Sequence, residues 1–192
     1  MSFPDDLLEL AQHLADLYPD RPHQASFRRA VSTAYYALFH LLISDATANW
    51  ARPELRAMLA RCFDHGPMKT ASKATIAEVT RVLKANPPEG REKTAAMHLR
   101  TVANAFIQAQ QQRNDADYNI AKEWTPLEVA SHLALVSDAF RAWKTIRDEP
   151  DAQAYLVLLL GPREGRPNQP KPSGAGVKRK KKLNSPGAPP RA

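Results

Sequence analysis

Apolar residues recur at steps of three and four along the first 160 positions of the chain, and no run alternates apolar with polar residues as a half-buried strand would. Clusters of helix-breaking residues cut this pattern into segments. They are Tyr18-Pro19-Asp20-Arg21-Pro22, Ala51-Arg52-Pro53, His65-Gly66-Pro67, Asn86-Pro87-Pro88-Glu89-Gly90, Trp124-Thr125-Pro126 and Glu149-Pro150. The spacing predicts helices near 4–18, 22–48, 53–64, 68–85, 90–118, 125–148 and 151–160. The start at Thr125-Pro126-Leu127-Glu128 is well specified. Thr125 can cap, Pro126 has no N–H to leave unpaired at the first helical position, and Glu128 completes a capping box.

The faces of these helices differ. In 125–148, Val129, Leu133, Val136, Phe140 and Trp143 form one apolar stripe suited to packing on a bundle. In 90–118, Leu99, Val102, Phe106 and Gln110 do the same, and that side of the helix continues to Arg113 and Asp117. A charged pair at i, i+4 is therefore expected in an inward or subunit-facing position. The 22–48 segment carries two stripes. Phe27, Val31, Ala34, Leu38 and Leu42 make one, and Arg29, Thr33, Tyr36 and His40 make another on roughly the opposite side, flanked by Phe39 and Ile43. A helix with two such faces is expected to be covered on both, which marks it as the central helix, its second face meeting a partner subunit or lining a cleft.

Composition divides the chain in two. Residues 161–192 hold nine Lys/Arg against one Glu, with seven of the 16 prolines and five of the seven glycines. Residues 1–160 hold 18 basic and 19 acidic residues, a net of −1. We read a helical domain over 1–160 and a disordered, basic, Pro/Gly-rich tail over 161–192. A single cysteine, Cys62, excludes an intrachain disulfide framework. The acidic opening Met1-Ser2-Phe3-Pro4-Asp5-Asp6 does not read as a signal peptide, and the longest apolar run, Tyr155 to Leu160, falls far short of a membrane span. A cytoplasmic protein with no membrane association is expected.

Two segments carry a family likeness. Arg28-Arg29-Ala30-Val31-Ser32-Thr33-Ala34-Tyr35-Tyr36-Ala37-Leu38-Phe39-His40 resembles the opening of a prokaryotic HEPN domain, and so does Arg113-Asn114-Asp115-Ala116-Asp117-Tyr118-Asn119 further along. The resemblance covers about 25–148 and implies an all-α, HEPN-like bundle of four to five main helices that usually dimerises. Active members of that family are metal-independent ribonucleases with an arginine and a histidine in the dimer cleft. Many are toxins or defence effectors of toxin–antitoxin type, often beside a nucleotidyltransferase partner, and other members are catalytically silent binding or scaffold modules. The family's motif places histidine after the arginine with four to six residues intervening. Here Arg113 and Asn114 match its first half, while the three eligible positions hold Tyr118, Asn119 and Ile120.

The resemblance thus implies Arg113 as the group that neutralises phosphate charge. Arginine cannot shuttle a proton near neutrality, whereas histidine is suited to it. Candidates for proton transfer are His40, converging from the neighbouring helix, and Tyr118. Arg29, Thr33, Tyr36, Asn114 and Asp117 are candidates for the cleft or dimer interface. Arg91 and His98 also fit the motif's spacing, but about one such match is expected by chance in this body. Against these readings, Arg113 with Asp117 is also a plain structural ion pair, and His40 a hydrogen-bonded interface histidine. Cys62-Phe63-Asp64-His65 offers one Cys-x-x-His pair with no second pair to complete a zinc site, and the body has no Gly-rich phosphate loop, so neither metal nor cofactor is expected. The tail run Lys178, Arg179, Lys180, Lys181 and Lys182 suits sequence-blind binding to nucleic-acid phosphates. Expected partners are a second copy of the chain, RNA or a nucleotide, and a nucleotidyltransferase protein.

Overall fold

A computed structural model describes residues 2–18, 21, 23–85 and 87–161. The basic run from Lys178 to Lys182, and the tail expected to be disordered, lie outside the described residues. Among the described residues every regular element is a helix: α1 (Phe3–Asp16), α2 (Gln24–Ala48), α3 (Pro53–Ala60), α4 (His65–Ala85), α5 (Gly90–Tyr118), α6 (Pro126–Ile146) and α7 (Pro150–Leu159). Four of them, α2, α4, α5 and α6, exceed 20 residues and form the main bundle. No described helix is long and apolar enough to cross a membrane.

The bundle is organised around α2, which packs on α1, α5 and α6, while α5 also packs on α4. Phe27, Val31, Ala34, Leu38 and Leu42 on α2 are all buried, as are Leu99, Val102 and Phe106 on α5 and Val129, Leu133, Val136, Phe140 and Trp143 on α6. The second face of α2 is only half covered. Thr33, Tyr36 and His40 are half-buried, and Arg29 at the end of the stripe is exposed. The capping box at Thr125 forms as the sequence requires. Thr125 Oγ1 accepts from the Glu128 N–H at 3.2 Å, and the Glu128 carboxylate accepts from the Thr125 N–H at 2.8 Å.

Most helix ends fall close to the expected positions, and α4 is the informative departure. It starts at His65, three residues early, with the Asp64 carbonyl accepting from the Met68 N–H at 3.1 Å. Gly66 and Pro67 therefore sit inside the first turn. Proline is tolerated there because the first N–H groups of a helix have no intrahelical partner to lose. The consequence is positional, since His65 becomes a helix residue facing α2 and α5 rather than part of a loop.

The α5–α6 connection is fixed from α2 by two side chains. Gln24 brackets Trp124, donating to its carbonyl and accepting from its N–H, both at 2.8 Å. Arg28 donates to the carbonyls of Ala116, Asn119, Ile120 and Lys122 at 2.8, 3.0, 3.3 and 2.6 Å. A cation on the unpaired carbonyls at a helix C-terminus satisfies them and complements the helix dipole. Arg28 thereby fixes the last turn of α5, the turn that carries Asp117 and Tyr118.

Candidate functional site

The centre of the site is Arg113, on the α5 stripe where it runs beyond the apolar core. Its Nη2 donates to the Tyr36 hydroxyl of α2 at 2.7 Å, and its Nη1 to Asn114 Oδ1 at 3.1 Å. Its Nε lies 2.8 Å from Asp117 Oδ2 with only 16% of the Arg113 side chain exposed. The Nε–H does not point along that vector, so this contact is an ion pair rather than a hydrogen bond. Asp117 also accepts from the Ser32 hydroxyl at 3.3 Å, tying the pair to α2. The guanidinium carbon stands 5.4 Å from the Tyr36 ring centre and 5.5 Å from that of Tyr118. Burial opposes the charge on Arg113. The Tyr36 hydrogen bond and the charge of Asp117 outweigh it, so its pKa is raised and it stays a cation.

Two histidines have rings near Tyr36, whose hydroxyl accepts from Arg113. His65, at the start of α4, places Nδ1 2.5 Å from the hydroxyl of the fully buried Tyr35, and its ring 6.3 Å from Tyr36 and 4.5 Å from Phe39. Its backbone carbonyl accepts from the Gln110 amide of α5 at 3.0 Å, which fixes the start of α4 against α5. His40 has its ring 6.5 Å from Tyr36, 5.3 Å from Phe39 and 5.1 Å from Phe3 of α1. Burial lowers the pKa of His65, and the charge of Arg113 lowers it further against a smaller opposing pull from Asp64. Burial likewise lowers that of His40, helped by His65. Burial raises the pKa of Tyr35, so its phenol remains protonated near neutrality. Both imidazoles are thus neutral at pH 7 and can accept a proton. In the tautomer whose Nδ1–H donates to the Tyr35 oxygen, Nε2 of His65 is the nitrogen left to accept a proton.

The expected residues are therefore partly brought together. Arg113, Asn114, Asp117, Tyr36 and Tyr118 converge. His40 joins them through Tyr36, which touches both its ring and Arg113. Thr33 sits half-buried one turn before Tyr36 on α2, and Arg29 is exposed beyond it. Arg91 and His98 belong elsewhere, Arg91 paired to Glu149 at 2.5 Å and His98 bonded to Thr145 at 2.8 Å. His65, Tyr35 and Ser32 are site residues that the sequence pattern did not single out. The His65-Gly66-Pro67 run reads as a break before a helix at 68, so the sequence left His65 in a loop, and the structure makes it the first residue of α4. Among the described residues no group of three or more His, Cys, Asp or Glu side chains is placed to hold a metal ion.

No family profile, curated protein or solved structure matches this chain. Its function must be argued from these residues.

Proposed function

We propose that the protein is a metal-independent, RNA-cleaving helical module whose site is the Arg113–Tyr36–His65–His40 cluster. The observation that supports this reading is the pairing of a half-buried guanidinium with two neutral imidazoles around one tyrosine. Such a set supplies the two functions that breaking an RNA backbone needs without a metal. Arg113 neutralises the charge growing on the phosphate. An imidazole, His65 Nε2 or His40, takes the 2′-hydroxyl proton. The 2′-oxygen then attacks phosphorus, the bond from phosphorus to the 5′-oxygen breaks, and the leaving oxygen takes up a proton from the imidazolium just formed or from water. The products are a 2′,3′-cyclic phosphate and a 5′-hydroxyl. The resemblance of 28–40 and 113–119 to HEPN domains points the same way. With it come a homodimer whose cleft brings two such clusters together, a cytoplasmic toxin–antitoxin or defence setting, and a nucleotidyltransferase as partner protein.

A second reading has its own support. Arg113 already has a carboxylate, an amide and a phenol as partners, the environment of a structural hub in a catalytically silent binding or scaffold module. Cleavage of synthetic RNA by purified protein in EDTA separates the two. The first reading expects cyclic-phosphate products, lost at least ~100-fold in Arg113→Ala and reduced in His65→Asn. RNA left intact by a folded, dimeric wild-type protein overturns it and leaves the binding module.

A further inference from the structure

We propose that Tyr118 is a stacking platform for an unpaired RNA base, which makes single-stranded RNA the substrate class of the Arg113 cluster. The inference rests on the reading above, and its substance is a placement. Tyr118 ends α5 and is 72% exposed, the most exposed of the large aromatic residues among those described, ahead of Phe3 at 60% and Trp50 at 50%. Its ring is not loose on the surface. Arg28 holds the carbonyls on both sides of it, and the Arg113 guanidinium stands 5.5 Å from its centre. An exposed ring backed by a fixed cation offers its other face to a planar ligand. A base stacked there would leave its own phosphate within reach of the same guanidinium.

The surroundings fit a nucleic-acid strand better than an isolated ring ligand. Arg29 is exposed one turn from Ser32, the residue that bonds Asp117, and Lys122, which pairs with Glu128 at 3.8 Å and stands over the Trp124 ring, lies in the connection that Arg28 fixes. Asp115, Asp117 and Glu123 oppose them, and a phosphate at Arg113 competes with the Asp117 carboxylate. Ile120, 91% exposed, adds apolar surface in the same connection. Positive groups following a backbone, with aromatic faces for bases, are the general means of holding single strands. A duplex hides its base faces in its own stack and cannot use Tyr118.

The test is fluorescence anisotropy with the full chain, using 2′-O-methyl oligonucleotides so that binding is read without turnover. Three labelled probes of equal length serve, one single-stranded, one abasic and one duplex. The tail contains no aromatic residue, so any phosphate binding it contributes is common to all three. Tyr118→Ala is expected to weaken single-strand binding roughly 5- to 100-fold, while abasic binding changes less than about twofold. Tyr118→Trp and Tyr118→Phe should retain most of the single-strand affinity. Equal affinity of wild type and Tyr118→Ala for the single strand overturns the inference, as does an equal loss on the abasic probe. In those cases a loss of binding in Arg113→Ala still supports the proposed site. Absence of binding to every probe by wild-type protein removes both.

Discussion

His132 on α6 is 1% exposed, and its Nε2 donates to the Val31 carbonyl of α2 at 3.1 Å, while its Nδ1 has no partner. Burial in this apolar interface drives its pKa down to about 4, against a smaller upward pull from the Val31 bond. The unfolded chain protonates this imidazole near its ordinary value of 6.5, so below that pH the unfolded state binds more protons than the folded one. Stability from this residue is therefore complete above pH 6.5 and is lost as pH falls toward 4. The shift of about 2.5 units corresponds to a full loss of roughly 3 kcal/mol, of which about 2 kcal/mol is gone by pH 5. Urea unfolding at pH 8 and pH 5, for wild type and His132→Gln, measures it. The glutamine amide can still donate to Val31 but cannot titrate. His40 and His65 shift in the same direction, so the wild type's total fall includes them, and the difference between the two proteins isolates His132. The variant should lose about 2 kcal/mol less than wild type over that interval. Equal losses would show that His132 is not held neutral by burial, and the reasoning would fail.

Asp45 accepts from the buried Trp143 indole N–H at 2.6 Å and pairs with the partly exposed Arg147. Asp45→Ala should cost about 2–3 kcal/mol in urea unfolding and Arg147→Ala under about 1 kcal/mol, because the indole is left buried and unpaired only in the first; similar losses would place the energy in the ion pair instead. Arg28→Ala should cost about 2 kcal/mol in thermal melting, and Arg28→Lys should recover less than half, since a point charge cannot reach the carbonyls that the planar guanidinium spans; full recovery by lysine would contradict the clamp. Asp117→Asn should raise affinity for single-stranded RNA several-fold, by removing a negative charge beside Arg113 while keeping an oxygen acceptor for Ser32; unchanged or weaker binding in a folded variant would count against Arg113 as a phosphate group.

Local signals carried the helices well because each was sufficient by itself. The stripe Val129–Leu133–Val136–Phe140–Trp143 and the Thr125 capping box need no knowledge of the rest of the chain, and all five stripe residues are buried. Where ends moved, tertiary context was thin or the punctuation ambiguous. α3 stops at Ala60, four residues short of the expected end, and Phe63 reaches the core from the turn that follows rather than from the helix. A Gly-Pro pair reads as a break in either direction, and only the structure shows that Gly66-Pro67 opens α4 from within.

The site was legible to the extent that it lies on stripes. Arg113 and Asp117 continue an apolar face, and Tyr36 and His40 share a second face on α2, so periodicity alone predicted that these would not be idle surface. His65 had no such signature. It is the first residue of α4, 48 positions before Arg113, and its role depends on how α4 lies against α2 and α5. Arg28 was invisible as a clamp for a different reason. Its acceptors are backbone carbonyls, which every residue possesses, so the partner end of the interaction leaves no mark in the sequence. The functional question follows from the same contrast. The residues that periodicity found are those that hold Arg113 in place, and an ion pair with Asp117 is what a purely structural arginine would also make. The group that periodicity could not find is a neutral imidazole at the head of another helix, its pKa lowered by burial and by the charge of Arg113. His65 also bonds the Tyr35 hydroxyl and packs on Phe39, contacts that a structural hub would equally keep, so RNA cleavage and not the presence of the imidazole decides between the two readings.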